Sequence, residues 1–118
     1  MWLANLTRSD EELLDLIQRW KGSRVQPWEY SVSHGQLLVR FHRDGPNPIP
    51  SFYLYCKNCH SVQFESHWVG ADVRFSTSSG KYGQQITVVD GDRLRVICGA
   101  VSGVESEEFI SIPLPSAA

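Results

Sequence analysis

Residues 28–42 read WEYSVSHGQLLVRFH, and their period decides the fold class. Trp28, Tyr30 and Val32 alternate with Glu29, Ser31 and Ser33; Leu37, Val39 and Phe41 alternate with Leu38, Arg40 and His42. Strict alternation is the mark of a strand with one buried face. Between the two runs lies His34-Gly35, and glycine supplies the positive φ that a two-residue hairpin turn needs. That turn sets Val32 against Leu37, Tyr30 against Val39 and Trp28 against Phe41, with Glu29 opposite Arg40. Apolar then meets apolar and acid meets base.

Upstream the period changes to that of a helix. Ser9 is a good N-cap and Glu12 completes a capping box. Asp10, Glu11 and Glu12 put negative charge on the positive end of the helix dipole. Leu13, Leu16, Ile17 and Trp20 form one apolar stripe, and Lys21-Gly22 closes the segment. The spacing predicts a helix over Ser9–Lys21.

Downstream the chain stays extended. DGPNPIP (44–50) holds three prolines and reads as a loop. SFYLYC (51–56) is apolar on both faces, as a central strand covered on both sides must be. HSVQFESHW (60–68) alternates, with Val62, Phe64 and Trp68 on one side. ADVRFS (71–76) is a further strand. STSSGKYGQ (76–84) is small, polar and glycine-rich, and reads as a mobile loop. QITVV and RLRVIC flank a turn at Asp90-Gly91-Asp92, which would pair Val88 with Leu94 and Ile86 with Val96. EEFISI (107–112) reads as a last strand. The expected architecture is α+β: an N-terminal amphipathic helix packed on one face of a mostly antiparallel β-sheet of about six strands. It is expected to form one globular domain over 1–112, with a single core and a flexible tail at 113–118.

The 118 residues are 42% hydrophobic and 20% charged, with a formal net charge of −2. Such a chain is too apolar for disorder and has no global positive field for nucleic acid or an anionic membrane. The start, MWLANLTRSDEELL, has neither the basic nor the apolar region of a signal peptide. Three cysteines cannot all pair within one chain, so a disulfide framework is not expected and the reading is cytoplasmic.

One stretch invites chemistry: Cys56-Lys57-Asn58-Cys59-His60. CxxCH is the attachment pattern of c-type haem, but here it lies between strands, and Met1 is the sole methionine to serve as a sixth ligand. A CxxC at a hairpin tip is also half of a zinc knuckle, with Cys56, Cys59 and His60 as ligands. A redox dithiol would need a following helix to lower its pKa. The plainer reading makes Cys56 and Cys98 small core residues and Lys57-Asn58 a turn, with Asn58 left-handed. No cofactor is expected. Glu65 and His67, two apart on one strand face, could form an acid–base pair; a polar row at period 2 is also the ordinary wet face of a sheet. Gly80-Lys81 hints at a phosphate loop, but Phe75 and Tyr82 stand where that motif needs Gly and Ser or Thr.

The leading expectation is therefore a non-enzymatic domain that binds a protein partner or a second copy of itself, with no catalytic residues. The alternatives are a small metal-binding protein and a small enzyme using Glu65 and His67. One short helix covers only two or three strands. Tyr53, Tyr55 and Trp68 are accordingly expected on the uncovered side, as anchors of the interface.

Overall fold

The computed structural model describes residues 2–45, 50–81 and 83–113. Its helix, α1 (Asp10–Arg19), is capped by Ser9, while Glu12 reaches back to the N–H of Arg8, one residue before the N-cap N–H that a capping box uses. The Ser9 hydroxyl accepts the Glu12 N–H at 3.2 Å, and the Glu12 carboxylate accepts the Arg8 N–H at 2.6 Å. Leu13, Leu16 and Trp20 are buried. Nine strands follow among the described residues: β1 (Arg24–Ser31), β2 (Gln36–His42), β3 (Ser51–Lys57), β4 (Ser61–Phe64), β5 (Trp68–Val69), β6 (Arg74–Gly80), β7 (Gly83–Asp90), β8 (Leu94–Cys98) and β9 (Ala100–Ser106). They form two antiparallel sheets, in the orders β5-β1-β2-β3-β9 and β4-β8-β7-β6. The fold is α+β as expected, with two sheets in place of one.

The inner core lies between these sheets. Val25, Leu37, Val39, Phe41, Phe52, Leu54 and Cys56 face Val88, Leu94, Val96 and Cys98. The helix covers part of the same face, with the Trp20 ring stacked on Phe52 at 6.4 Å. A second core lies on the outer face of the five-stranded sheet, where Leu38, Tyr53, Tyr55 and Val104 pack with Ile110 and Ile112. Two cores follow from β3: Ser51–Cys56 are all buried, so the strand needs a cover on each face.

The outer cover has two parts. One is a short 3-10 helix (Trp2–Asn5). The other is the segment after β9, which is not the strand expected at 107–112. Its period-2 burial is real, with Ile110 and Ile112 in and Ser111 out, but side chains hold it in place of a neighbouring strand. The Trp28 indole donates to the Ile110 carbonyl at 2.9 Å, the Trp2 indole donates to that of Ser111 at 3.2 Å, and the Ile112 N–H donates to the Glu29 carboxylate at 2.6 Å.

The first hairpin departs from its expected register. Its turn is Val32–Gly35, closed by a Gly35 N–H bond to the Val32 carbonyl, so Tyr30 pairs with Leu37 and not Val39. Between Pro27 and Glu29 the register shifts, and Gln26, not Glu29, lies opposite Arg40. The extra residue is Trp28, which turns from the inner face to the outer core. Proline lacks an N–H and collects at bulges and edges; Pro27 is the cause visible in the sequence. In the β7–β8 hairpin the turn sits one residue later, pairing Val88 with Val96 and Ile86 with Cys98. That slip changes partners by two and leaves every side chain on its expected face. Residues 76–80 and 83–84 are strand, not loop: β6 runs to Gly80 and β7 starts at Gly83, and Tyr82 lies outside the described residues. Of the proline-rich loop, 46–49 lie outside the described residues, as do 114–118 of the tail.

β9 runs close under the helix at Gly103. A Cβ there would fall 2.5 Å from the Phe52 ring and 2.9 Å from Leu13 Cδ1. Gly103→Ala is expected to lower stability by about 1–3 kcal/mol through overpacking. Urea unfolding should show a lower midpoint at an unchanged m-value.

Candidate functional site

The cysteine stretch forms a tight turn between β3 and β4. Asn58 is left-handed, with φ +53°, which asparagine tolerates. The Gly99 N–H bonds to the carbonyls of Lys57 and Asn58, and the Cys59 N–H bonds to Gly35 at 2.9 Å. Gly35 itself has φ +58°, and a Cβ on it would press on the Cys59 backbone at 3.2 Å. The turn is thus clamped between the first hairpin and the β8–β9 corner.

All three thiols are free, and they share one neighbourhood at this end of the inner core. The Cys56 thiol donates to Cys98; that bond, with burial, raises its pKa well above the usual thiol range. Cys98, as acceptor, is lowered by the same bond. Burial pushes the Cys59 thiol up to about 12, with Cys98 adding to the shift. Metal-binding and nucleophilic cysteines act as thiolates, so burial works against both uses of Cys56 and Cys59. His60 is exposed. Among the described residues no group of three or more metal-binding side chains converges.

Glu65 and His67 line different recesses. Glu65 borders one of about 430 Å³ with Gln63, Asp92, Arg93 and Arg95. His67 borders one of about 220 Å³ beside Arg24 and His42, and its Nδ1 is 3.1 Å from the Ser66 hydroxyl.

The three aromatic residues expected at an interface are buried: Tyr53 is 0% exposed, Tyr55 2% and Trp68 5%. Tyr53 and Tyr55 lie under the strap at 107–113, and the Trp68 indole donates to the buried Asp90 carboxylate at 2.8 Å. Counting only the helix as cover left out the second sheet and the strap.

The sheet edges show what sequence reasoning missed. β5 is two residues long and β4 four. Past β5, the outer side of β1 carries Pro27 and the bulge. β9 is covered, since Thr7 gives its N–H to the Gly103 carbonyl and accepts the Gly103 N–H on its hydroxyl. These are the devices by which proteins blunt open edges. β6 has none of them. It is seven residues long, RFSTSSG, without proline, and exposed at every residue but Phe75. Arg74 is its sole charge.

No protein-family model, curated protein or solved structure matches the chain. No helix among the described residues is long and apolar enough to cross a membrane.

The thiol environment has a measurable consequence. Iodoacetamide at pH 8 is expected to react far more slowly with the native protein than with the unfolded chain, which should take up three equivalents without prior reduction. Folding raises the Cys59 pKa, so its contribution to stability is complete below the unfolded value near 8.5 and is lost as pH climbs toward about 12. The thermal midpoint should fall over that range, and less steeply in Cys59→Ala.

Proposed function

We propose that the chain is a non-enzymatic protein-interaction domain whose binding element is the open edge of β6, and that its partner there is a second copy of itself. The observation that carries this is the contrast among the sheet edges: the others are short, bulged or covered, and the longest exposed one is left open. Such an edge offers a row of backbone donors and acceptors that only another strand can satisfy together.

Self-pairing suits the side chains of β6. In an antiparallel arrangement with a two-fold axis at Thr77, Ser76 meets Ser78, Phe75 meets Ser79 and Arg74 meets Gly80. No like charges are opposed, and the largest side chains face the smallest. The pairing would join two four-stranded sheets into one of eight. A single strand pair is smaller than the interface of about 1,200 Å² that marks stable complexes, so the association is weak and reversible. Three unpaired thiols support a cytoplasmic setting. The separation of Glu65 from His67 supports a role without catalysis. Neither nucleic acid nor a membrane is a partner in this reading.

Charge reversal at the axis provides the test. Thr77 is exposed, so substitution there spares the core. In sedimentation velocity over a concentration series, the wild-type mass should rise from 13.4 kDa toward twice that value. Thr77→Lys or Thr77→Glu alone opposes two like charges across the axis and should hold the protein monomeric. Mixing the two variants should restore a heterodimer. A wild-type chain that stays monomeric throughout, or single variants that dimerise as well as wild type, would overturn the proposal.

A further inference from the structure

The outer face of the five-stranded sheet is not covered everywhere, and its open part is basic. Val25 and Phe41 pair across β1 and β2 and point into the inner core. Their neighbours Arg24, Gln26, Arg40 and His42 therefore point the opposite way. The register sets Arg24 opposite His42 and Gln26 opposite Arg40, a block of four nitrogen-bearing side chains on one face. β5 adds a wall on the far side, with Val69 next to Arg24. Arg24, Gln26, His42 and His67 line the resulting recess of about 220 Å³, and Val69 forms its apolar side.

Each polar side chain lining this recess can donate a hydrogen bond, and none is a carboxylate. Asp44 pairs with Arg24 at 2.9 Å from outside, with its side chain 77% exposed. The other nearby acid, Glu29, is turned to the Ile112 N–H. Arg40 belongs to the block but is not among the residues lining the recess; its guanidinium lies over the Trp28 and Phe109 rings at 5.4 and 5.1 Å. The positive charge has an effect on His42, whose pKa is lowered first by burial and then by Arg40 and Arg24, with Asp44 alone opposing. A cation would meet the Arg24 guanidinium, so the two imidazoles do not read as a metal pair. A tetrahedral oxyanion would instead accept hydrogen bonds from several sides at once, with charge assistance from arginine.

We infer that this recess binds a phosphate group, held by Arg24 and by the ring nitrogens of His42 and His67, with Gln26 donating to a further oxygen. The site is separate from the β6 edge and does not depend on it. Bound phosphate shifts the electrostatics at His42: an imidazolium that faced Arg24 and Arg40, with Asp44 alone opposing them, gains an anion, and its protonation becomes favourable. Affinity accordingly increases as pH falls through the histidine range. His67, Arg24, Arg40 and Asp44 are the other charged or titratable groups that face this imidazole.

The test is a titration of the full chain with inorganic phosphate, read from the four histidine ring signals by NMR at constant ionic strength. Saturable shifts in the millimolar range confined to His42 and His67, with a rise in the His42 pKa, are expected. Arg24→Gln and His67→Gln should each weaken binding roughly tenfold or more. Arg74→Gln, which removes a cation on β6, should change nothing. A parallel titration with phenyl phosphate separates two sources of the group. Tighter binding than free phosphate assigns the recess to phosphomonoesters with an apolar tail beside Val69; equal binding assigns it to the free ion. Shifts of similar size at His34 and His60, linear shifts without saturation, or Arg24→Gln binding as wild type would overturn the inference.

Discussion

Everything in this structure follows from a strand that has no wet face. Ser51–Cys56 are buried on both sides, and a strand of this kind is stable only if the rest of the chain supplies two covers. The inner cover is a second sheet and a helix; the outer is assembled from the two ends of the chain. Each large apolar side chain so buried contributes on the order of 1.5–3 kcal/mol. The outer cover would be a poor one if its backbone were left unsatisfied, since it pairs with no strand. Tryptophan solves this. The indoles of Trp2 and Trp28 donate to strap carbonyls, while Trp20 donates to Glu105 and Trp68 to Asp90. All four therefore act as wide apolar plates with one directed donor, and each ties together segments distant in sequence.

How far the sequence can be read depends on the range of the forces involved. Helix α1 is legible because its cap, charge pattern and apolar stripe lie within about a dozen neighbouring residues. Asn58 in the cysteine turn is legible for the same reason. β3 is legible as a strand, and its double burial as well, but not the identity of its covers. Ile110 and Ile112 show the right period and still mislead, because period 2 reports an extended backbone and not the partner that satisfies it. Beyond Ser76, β6 and the start of β7 are invisible to hydrophobic patterning, since a ribbon exposed on both faces has no apolar row. Trp28 changes faces through a single extra residue beside Pro27, a local event whose consequence runs the length of β1.

The candidate sites were less legible than the fold, for a related reason. Tyr53, Tyr55 and Trp68 look like surplus aromatic residues only while one helix is the sole cover available. Cys56, Cys59 and Cys98 share one neighbourhood, yet burial and the bond to Cys98 favour the protonated form of Cys56, and burial that of Cys59. The basic block needs the register of β1 on β2 before Arg24 and His42, eighteen positions apart, can be seen as neighbours. An open edge is a property of topology alone: no residue of β6 announces that its outer side lacks a neighbour.

An open strand is ordinarily a hazard, and the composition of β6 bears on how a cell could tolerate this one. Uncontrolled edge pairing is driven by hydrophobic side chains that zip together once backbones align. Ser76, Thr77, Ser78 and Ser79 offer hydrogen bonds with very little apolar area, and Gly80 adds none. Pairing along β6 thus gains backbone bonds that merely replace bonds to water, worth about 0.5–1.5 kcal/mol each before ordering costs. The balance favours a contact that forms and dissolves. Growth is limited as well, because self-pairing uses the β6 edge of each copy, and the far edge of the same sheet is the four-residue β4. A two-fold pair therefore closes on itself, whereas a sheet open and apolar on both edges would polymerise.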